Sequence, residues 1–151
     1  MSEIIIFDTS VMVDYLRTGR HESRFQSVIG LVRASSVVLA KLWRGTTSAA
    51  EQQFLRTLQR NHPVLVPTEK NWLESGQLLG RIHAAKGFAR EKLRDLHFDV
   101  LIALTARSHG ARLITSNRDD FELIHQFRKF RLEVWQDRSH KSVSLAATAE
   151  R

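Results

Sequence analysis

The chain has 151 residues, 42% hydrophobic and 26% charged, which favours one domain with the composition of a soluble globular protein. It has no cysteine, which excludes disulfides, thiolate-bound zinc and cysteine nucleophiles. Lys and Arg number 23 against 16 Asp and Glu, a formal net charge of +7; that balance suits a polyanionic partner, nucleic acid or an acidic protein, or else serves solubility alone.

The opening Met1-Ser2-Glu3-Ile4-Ile5-Ile6-Phe7-Asp8 has no basic leader, and its apolar run is cut at Asp8, so it does not read as a signal peptide. No apolar stretch approaches the roughly 18 residues of a membrane span. The expectation is a cytoplasmic protein without a membrane partner.

Ile4 to Phe7 reads as a buried strand. Thr9 and Ser10 suit the cap of a helix over residues 11–17, ended by Gly19. Residues 21–33 read as a second helix, with Phe25, Val28, Ile29 and Val32 on one face. Val37-Val38 looks like strand, and the segment from Leu39 to Gly45 like helix. Residues 46–60 form a helix that His62-Pro63 breaks. Val64-Leu65-Val66 is a strand stopped by Pro67, and Thr68-Glu69 open a helix to about Ala85. Residues 87–94 read as a basic, glycine-started connection, and 95–109 as a helix closed by Gly110. Residues 112–115 are a strand, 119–127 a helix and 131–135 a last strand. Residues 138–151 are small and polar and read as a flexible tail behind a domain of residues 1–137.

Strands separated by helices imply a parallel sheet with helices on both faces, and ligands in such sheets sit beyond the carboxyl ends of strands. Asp8 follows the first strand. Asp99 lies among apolar residues at the start of a helical run, and Asn117, Asp119 and Asp120 follow a later strand. Each acid taken singly suits a helix N-cap or a first-turn position favoured by the dipole. Together they suggest clustered carboxylates, which repel and are stable mainly around a cation. Hard divalent cations prefer such oxygen ligands, and one held there can activate water against a phosphodiester.

Four segments, in order, resemble the PIN-domain family, with VapC-type toxins of type II toxin–antitoxin pairs as the nearest kind. They are residues 4–11, with Asp8; 37–45, with Lys41; 98–107, with Asp99; and 113–121, with Asn117, Asp119 and Asp120. The resemblance runs collinearly from about residue 3 to 135. It implies a three-layer α/β/α domain around a central parallel sheet of four to five strands. It implies endoribonuclease activity dependent on Mg²⁺ or Mn²⁺, an RNA substrate, a homodimer, and a small cognate antitoxin whose tail covers the site. Asp8 and Asp99 match the family's metal-binding acids, and the fourth acid is Asp119 or Asp120. Lys41 stands where the family has Glu, with Leu39, Leu42 and Gly45 holding the register. That reversal implies a weakened or disarmed ribonuclease or, alternatively, a non-catalytic module that binds RNA or antitoxin. The other reading of Lys41 is a solvated surface lysine in a shifted register.

Other residues carry weaker signals. The seven His include no H-E-x-x-H pair. His97 and His109 read as exposed or capping, and Trp43, Trp72 and Trp135 as packing in the core or a dimer interface. Arg81, Lys86, Arg90, Lys92 and Arg94 suit RNA phosphates or a solvated helix face. Phosphotransfer through an aspartate is disfavoured, because Ser10 stands where a second Asp would be needed.

Overall fold

Four consecutive apolar residues have no face to offer water, and Ile4 to Phe7 accordingly form the central strand β1 (Ile4–Phe7), with Ile5 and Ile6 fully buried. In the computed structural model, which describes residues 2–135, the chain continues through α1 (Thr9–Thr18), α2 (Glu22–Ser27), β2 (Leu31–Ser35), α3 (Ser36–Arg44), α4 (Ala49–Asn61) and β3 (Val64–Leu65). It is completed by α5 (Glu69–Lys86), α6 (Arg90–Ser108), β4 (Arg112–Thr115), α7 (Arg118–Phe127) and β5 (Arg131–Val134). All five strands are parallel, in the order β3-β2-β1-β4-β5. The α/β fold expected from the alternation of strands and helices is the one adopted. The residues read as a tail, 138–151, lie outside the described residues.

The core is asymmetric. On one face α3, α5, α6 and α7 bury Val38, Ile82, Leu101, Leu104, Phe121 and Ile124 in a large cluster. The other face has a smaller cluster of Ile5, Val11, Ile114 and Trp135, with Phe7 and Phe25 against it. Burial of each large side chain contributes roughly 1.5–3 kcal/mol. Strand order reverses direction between β1 and β4, which places a crevice at their carboxyl ends. Asp8 and Ser116 leave the sheet there.

Three segments differ from the sequence reading. Residues 21–33 are not one helix. The helix α2 stops at Ser27, Val28 is extended, and Leu31 begins a strand whose amide donates to Glu3 O at 2.7 Å. Gly30 permits the turn, since it has φ +154° and a Cβ there would meet Glu3 O at 2.7 Å. The β-branched Val28, Ile29 and Val32 satisfied helical spacing while preferring extended backbone. Conversely, Val37-Val38 is helix rather than strand, because the Ser35 hydroxyl caps α3 by accepting from Val38 N at 3.3 Å. Finally, the basic connection ends at Ala89. Residues 90–94 are the first turn and more of α6, which puts Asp99 midway along that helix rather than at its start. The remaining boundaries shift by one to three residues, as with α4, which Ser48 caps.

Candidate active site

Asp8 has two tasks. It caps α1, with Oδ2 accepting from Ser10 N at 3.4 Å, and it sits at the head of the crevice with 2% of its surface exposed. The same Oδ2 accepts from Ser10 Oγ and from Thr115 Oγ1, each at 2.8 Å. Three donors therefore converge on one carboxylate oxygen, and all of them are neutral. Oδ1 is buried and has no hydrogen-bond partner among the described residues. A buried anionic oxygen without a donor is costly, so this atom marks a place where the pocket accepts a positive or donating group.

The hydroxyls that hold Asp8 also join the loop after β4 to α1. Ser116 N donates to Ser10 Oγ at 3.1 Å and Asn117 N to Thr115 Oγ1 at 2.9 Å, while Ser116 Oγ donates to Asp14 Oδ2 at 3.0 Å. The loop thereby presents Asn117 and the first turn of α7 to the crevice.

Asp99 comes from α6 and is 5% exposed. Burial pushes its carboxyl up to about 7, the Asp8 charge pushes the same way, the Lys41 charge and hydrogen bond oppose both, and Asp120 adds a further upward push. Asp8 and Asp120 are thus each within electrostatic reach of Asp99. Asp120 is the acid of the fourth segment that turns inward. Its Oδ2 accepts from Asn117 Nδ2 at 3.1 Å and its Oδ1 from Lys92 Nζ at 2.7 Å, whereas Asp119 is exposed.

Lys41 is not a solvated surface residue. Its Nζ donates to Asp99 Oδ1 at 3.1 Å, with only 20% of the side chain exposed. It does not run out to water, so the register of the second segment places it in the crevice. Two ammonium groups, from Lys41 and Lys92, therefore neutralise two of the three acids.

Such a set does not fit a divalent cation as it stands. Asp8 Oδ1 is a suitable ligand, but one oxygen of Asp99 is taken by an ammonium that adds positive charge. Among the described residues no group of three or more acidic or histidine side chains is placed to hold a metal ion. The cluster of carboxylates expected from the sequence is, in the structure, three acids of which Lys41 pairs with Asp99 and Lys92 with Asp120.

Of the other expectations, Trp135 is core at 5% exposure, Trp43 is half-buried and donates to Gln59, and Trp72 is not core at 51%. His97 is half-buried against Ser75 Oγ at 3.0 Å, and His109 is the exposed C-cap residue of α6. Lys86, Arg90 and Arg94 are exposed, Arg81 donates to Phe127 O, and Lys92 leaves the surface group for the crevice. The sequence reading missed Lys92, Ser10 and Thr115 as parts of the site. Lys92 precedes Asp99 by two helical turns and so shares its face, a signal hidden while α6 was started at residue 95.

A family model described as PIN domain matches residues 5–125. Solved structures of similar fold include VapBC2 from Rickettsia felis bound to a promoter DNA fragment, with TM-score 0.65 and 20% identity over 88% of this chain and 99% of that one. VapBC-1 from nontypeable Haemophilus influenzae gives 0.63 and 20% over 87% and 98%. DNA-bound VapBC from Salmonella typhimurium gives 0.60 and 23% over 89% and 99%. No curated protein matches the chain.

Proposed function

The chain belongs to the PIN-domain family, and from that premise we propose that it is a VapC-type toxin of a toxin–antitoxin pair whose Mg²⁺- or Mn²⁺-dependent endoribonuclease is disarmed or strongly weakened by Lys41. The observation that carries this reading is the Lys41–Asp99 ion pair inside a crevice otherwise built for acids. Asp8 is oriented by three neutral donors on one oxygen with the other oxygen left over, an arrangement that suits a cation ligand. A metal held by carboxylates in such a crevice would supply a hydroxide nucleophile and charge stabilisation, chemistry that the set with Lys41 in place does not accommodate. The roles left to this chain's own side chains are to orient Asp8 through Ser10 and Thr115, and Asp120 through Asn117 and Lys92. Lys41 opposes metal entry, because it occupies one ligand and contributes a like charge. At about 4 Å and an effective dielectric near 20, the attraction of opposite unit charges is about 4 kcal/mol, which a competing cation must first overcome.

The partners that follow from this reading are an RNA substrate, a small antitoxin with an acidic segment suited to the +7 chain, and a second copy in a homodimer. Residence in the cytoplasm belongs to the same reading; among the described residues no helix is long and apolar enough to cross a membrane. The Lys41–Asp99 pair also favours a second reading, a module that binds RNA or antitoxin without cutting. One comparison separates the two. The native chain and Lys41→Glu are assayed for Mn²⁺ binding by calorimetry and for RNA cleavage on the same preparations. The Glu variant gains both if the frame is a nuclease; metal binding without cleavage supports the binding module. Equal metal affinity and equal cleavage in the two proteins reject the assignment of Lys41 to the site.

A further inference from the structure

Phe98 immediately precedes the buried Asp99, yet 37% of it is exposed. The guanidinium of Arg44 lies over its ring at 5.8 Å from the centroid. Arg44 is one helical turn beyond Lys41 on α3, and Arg94 is one turn before Phe98 on α6; both are exposed. A flat apolar side chain with one arginine over its ring and a second exposed arginine one turn away on its own helix therefore lies beside the Lys41–Asp99 pair in the chain. An exposed phenylalanine alone is ordinary. The surroundings distinguish this one, for an aromatic face with cations near it, on a +7 chain, offers one surface to phosphates and another to bases.

We infer that Phe98 and Arg44 form a stacking platform for one unpaired base of a single-stranded RNA lying across the mouth of the crevice. The inference rests on the reading of the protein as one that engages RNA, and adds to it the residues that stack a base. Arg44 backs the ring, the base stacks where the ring is open to solvent, and Arg94 meets a flanking phosphate. Every base has a π-face, so the platform is tolerant of sequence. A base paired within a duplex cannot splay onto the ring, so the platform favours single strands.

The test uses fluorescence anisotropy in EDTA, where metal-dependent cleavage cannot interfere, with oligouridine and an RNA duplex of equal length as probes. Phe98→Leu keeps an apolar side chain but removes the flat face; thermal melting checks that it stays folded. It should weaken oligouridine binding about tenfold, leave duplex binding and the salt dependence unchanged, and be rescued by Phe98→Tyr. Equal affinity of the native and Leu proteins for oligouridine overturns the platform while leaving RNA binding intact. Failure of the native chain to bind either probe overturns the RNA reading and the platform with it. Loss of a dimer in sedimentation, with oligouridine affinity retained per chain, assigns Phe98 to an interface between copies and overturns the platform as well.

Discussion

Asp8 and Asp99 share one crevice but are held by opposite means. Asp8 is fixed by neutral donors from Ser10 and Thr115, all on one oxygen, so its charge is oriented without being cancelled. Asp99 is fixed by an ammonium, so its charge is cancelled as it is oriented. Hydroxyl donors leave a carboxylate available to a further cation, whereas an ion pair consumes that capacity. The difference also sets where strain accumulates. On the Asp99 side burial and the Asp8 charge outweigh Lys41, and the carboxyl is pushed up to about 7.

The largest change at a single pH should come from making the two sides alike. Lys41→Glu replaces the cation by a third carboxylate and leaves Asp99 buried without its partner. Stability in EDTA should fall by about 3 kcal/mol, the scale for breaking a buried pair, and Mn²⁺ should recover part of it by binding only the folded state. Urea denaturation with and without Mn²⁺ measures both; an unchanged midpoint in EDTA means that the ion pair contributes nothing to the fold.

A pH series sharpens the comparison next. The folded Asp99 carboxyl titrates near 7 and the unfolded one near its ordinary value of 3.8. Between those values the folded protein binds the extra proton, so this group's contribution to stability falls as pH rises from about 4 to 7, with a limiting slope of about 1.4 kcal/mol per pH unit. Asp99→Asn should remove that component, visible as the difference between the two stability–pH curves from denaturant melts. Parallel curves would place the proton elsewhere.

The smallest effect belongs to the Asp8 side. Ser10→Ala deletes one donor to Asp8 Oδ2 and leaves Ser116 N without its acceptor. It should cost about 1–2 kcal/mol and, having removed no charge, leave the slope assigned to Asp99 unchanged. A Ser10→Ala protein that lost that slope would show that the two halves are not separable.

Much of this was legible in order of residues alone. The apolar run of Ile4 to Phe7 ending in an acid, the Gly19 and Gly110 stops, and the alternation of strands with helices specify a parallel α/β frame, because local hydrophobic patterning and turn chemistry act over a few residues. The resemblance of four collinear segments to the PIN-domain family singled out Asp8, Asp99 and Lys41. Residues 21–33 were not legible, because β-branched residues at helical spacing satisfy two templates. Only pairing with Glu3 and β1, with Gly30 passing against that backbone, decides for a strand.

The choice of Asp120 over Asp119 as the inward acid, and the recruitment of Lys92 from an apparent surface strip, were likewise decided in three dimensions. Adjacent acids at a helix start are equivalent in sequence; the position of α6 beside α7 brings the Lys92 ammonium to Asp120, which the Asn117 amide reaches from three residues earlier. The sequence by itself determined which residues carry charge and which strands lead to them. The tertiary structure decided which charges meet, since pairing depends on distances between elements far apart in the chain, and burial then decides what each meeting costs.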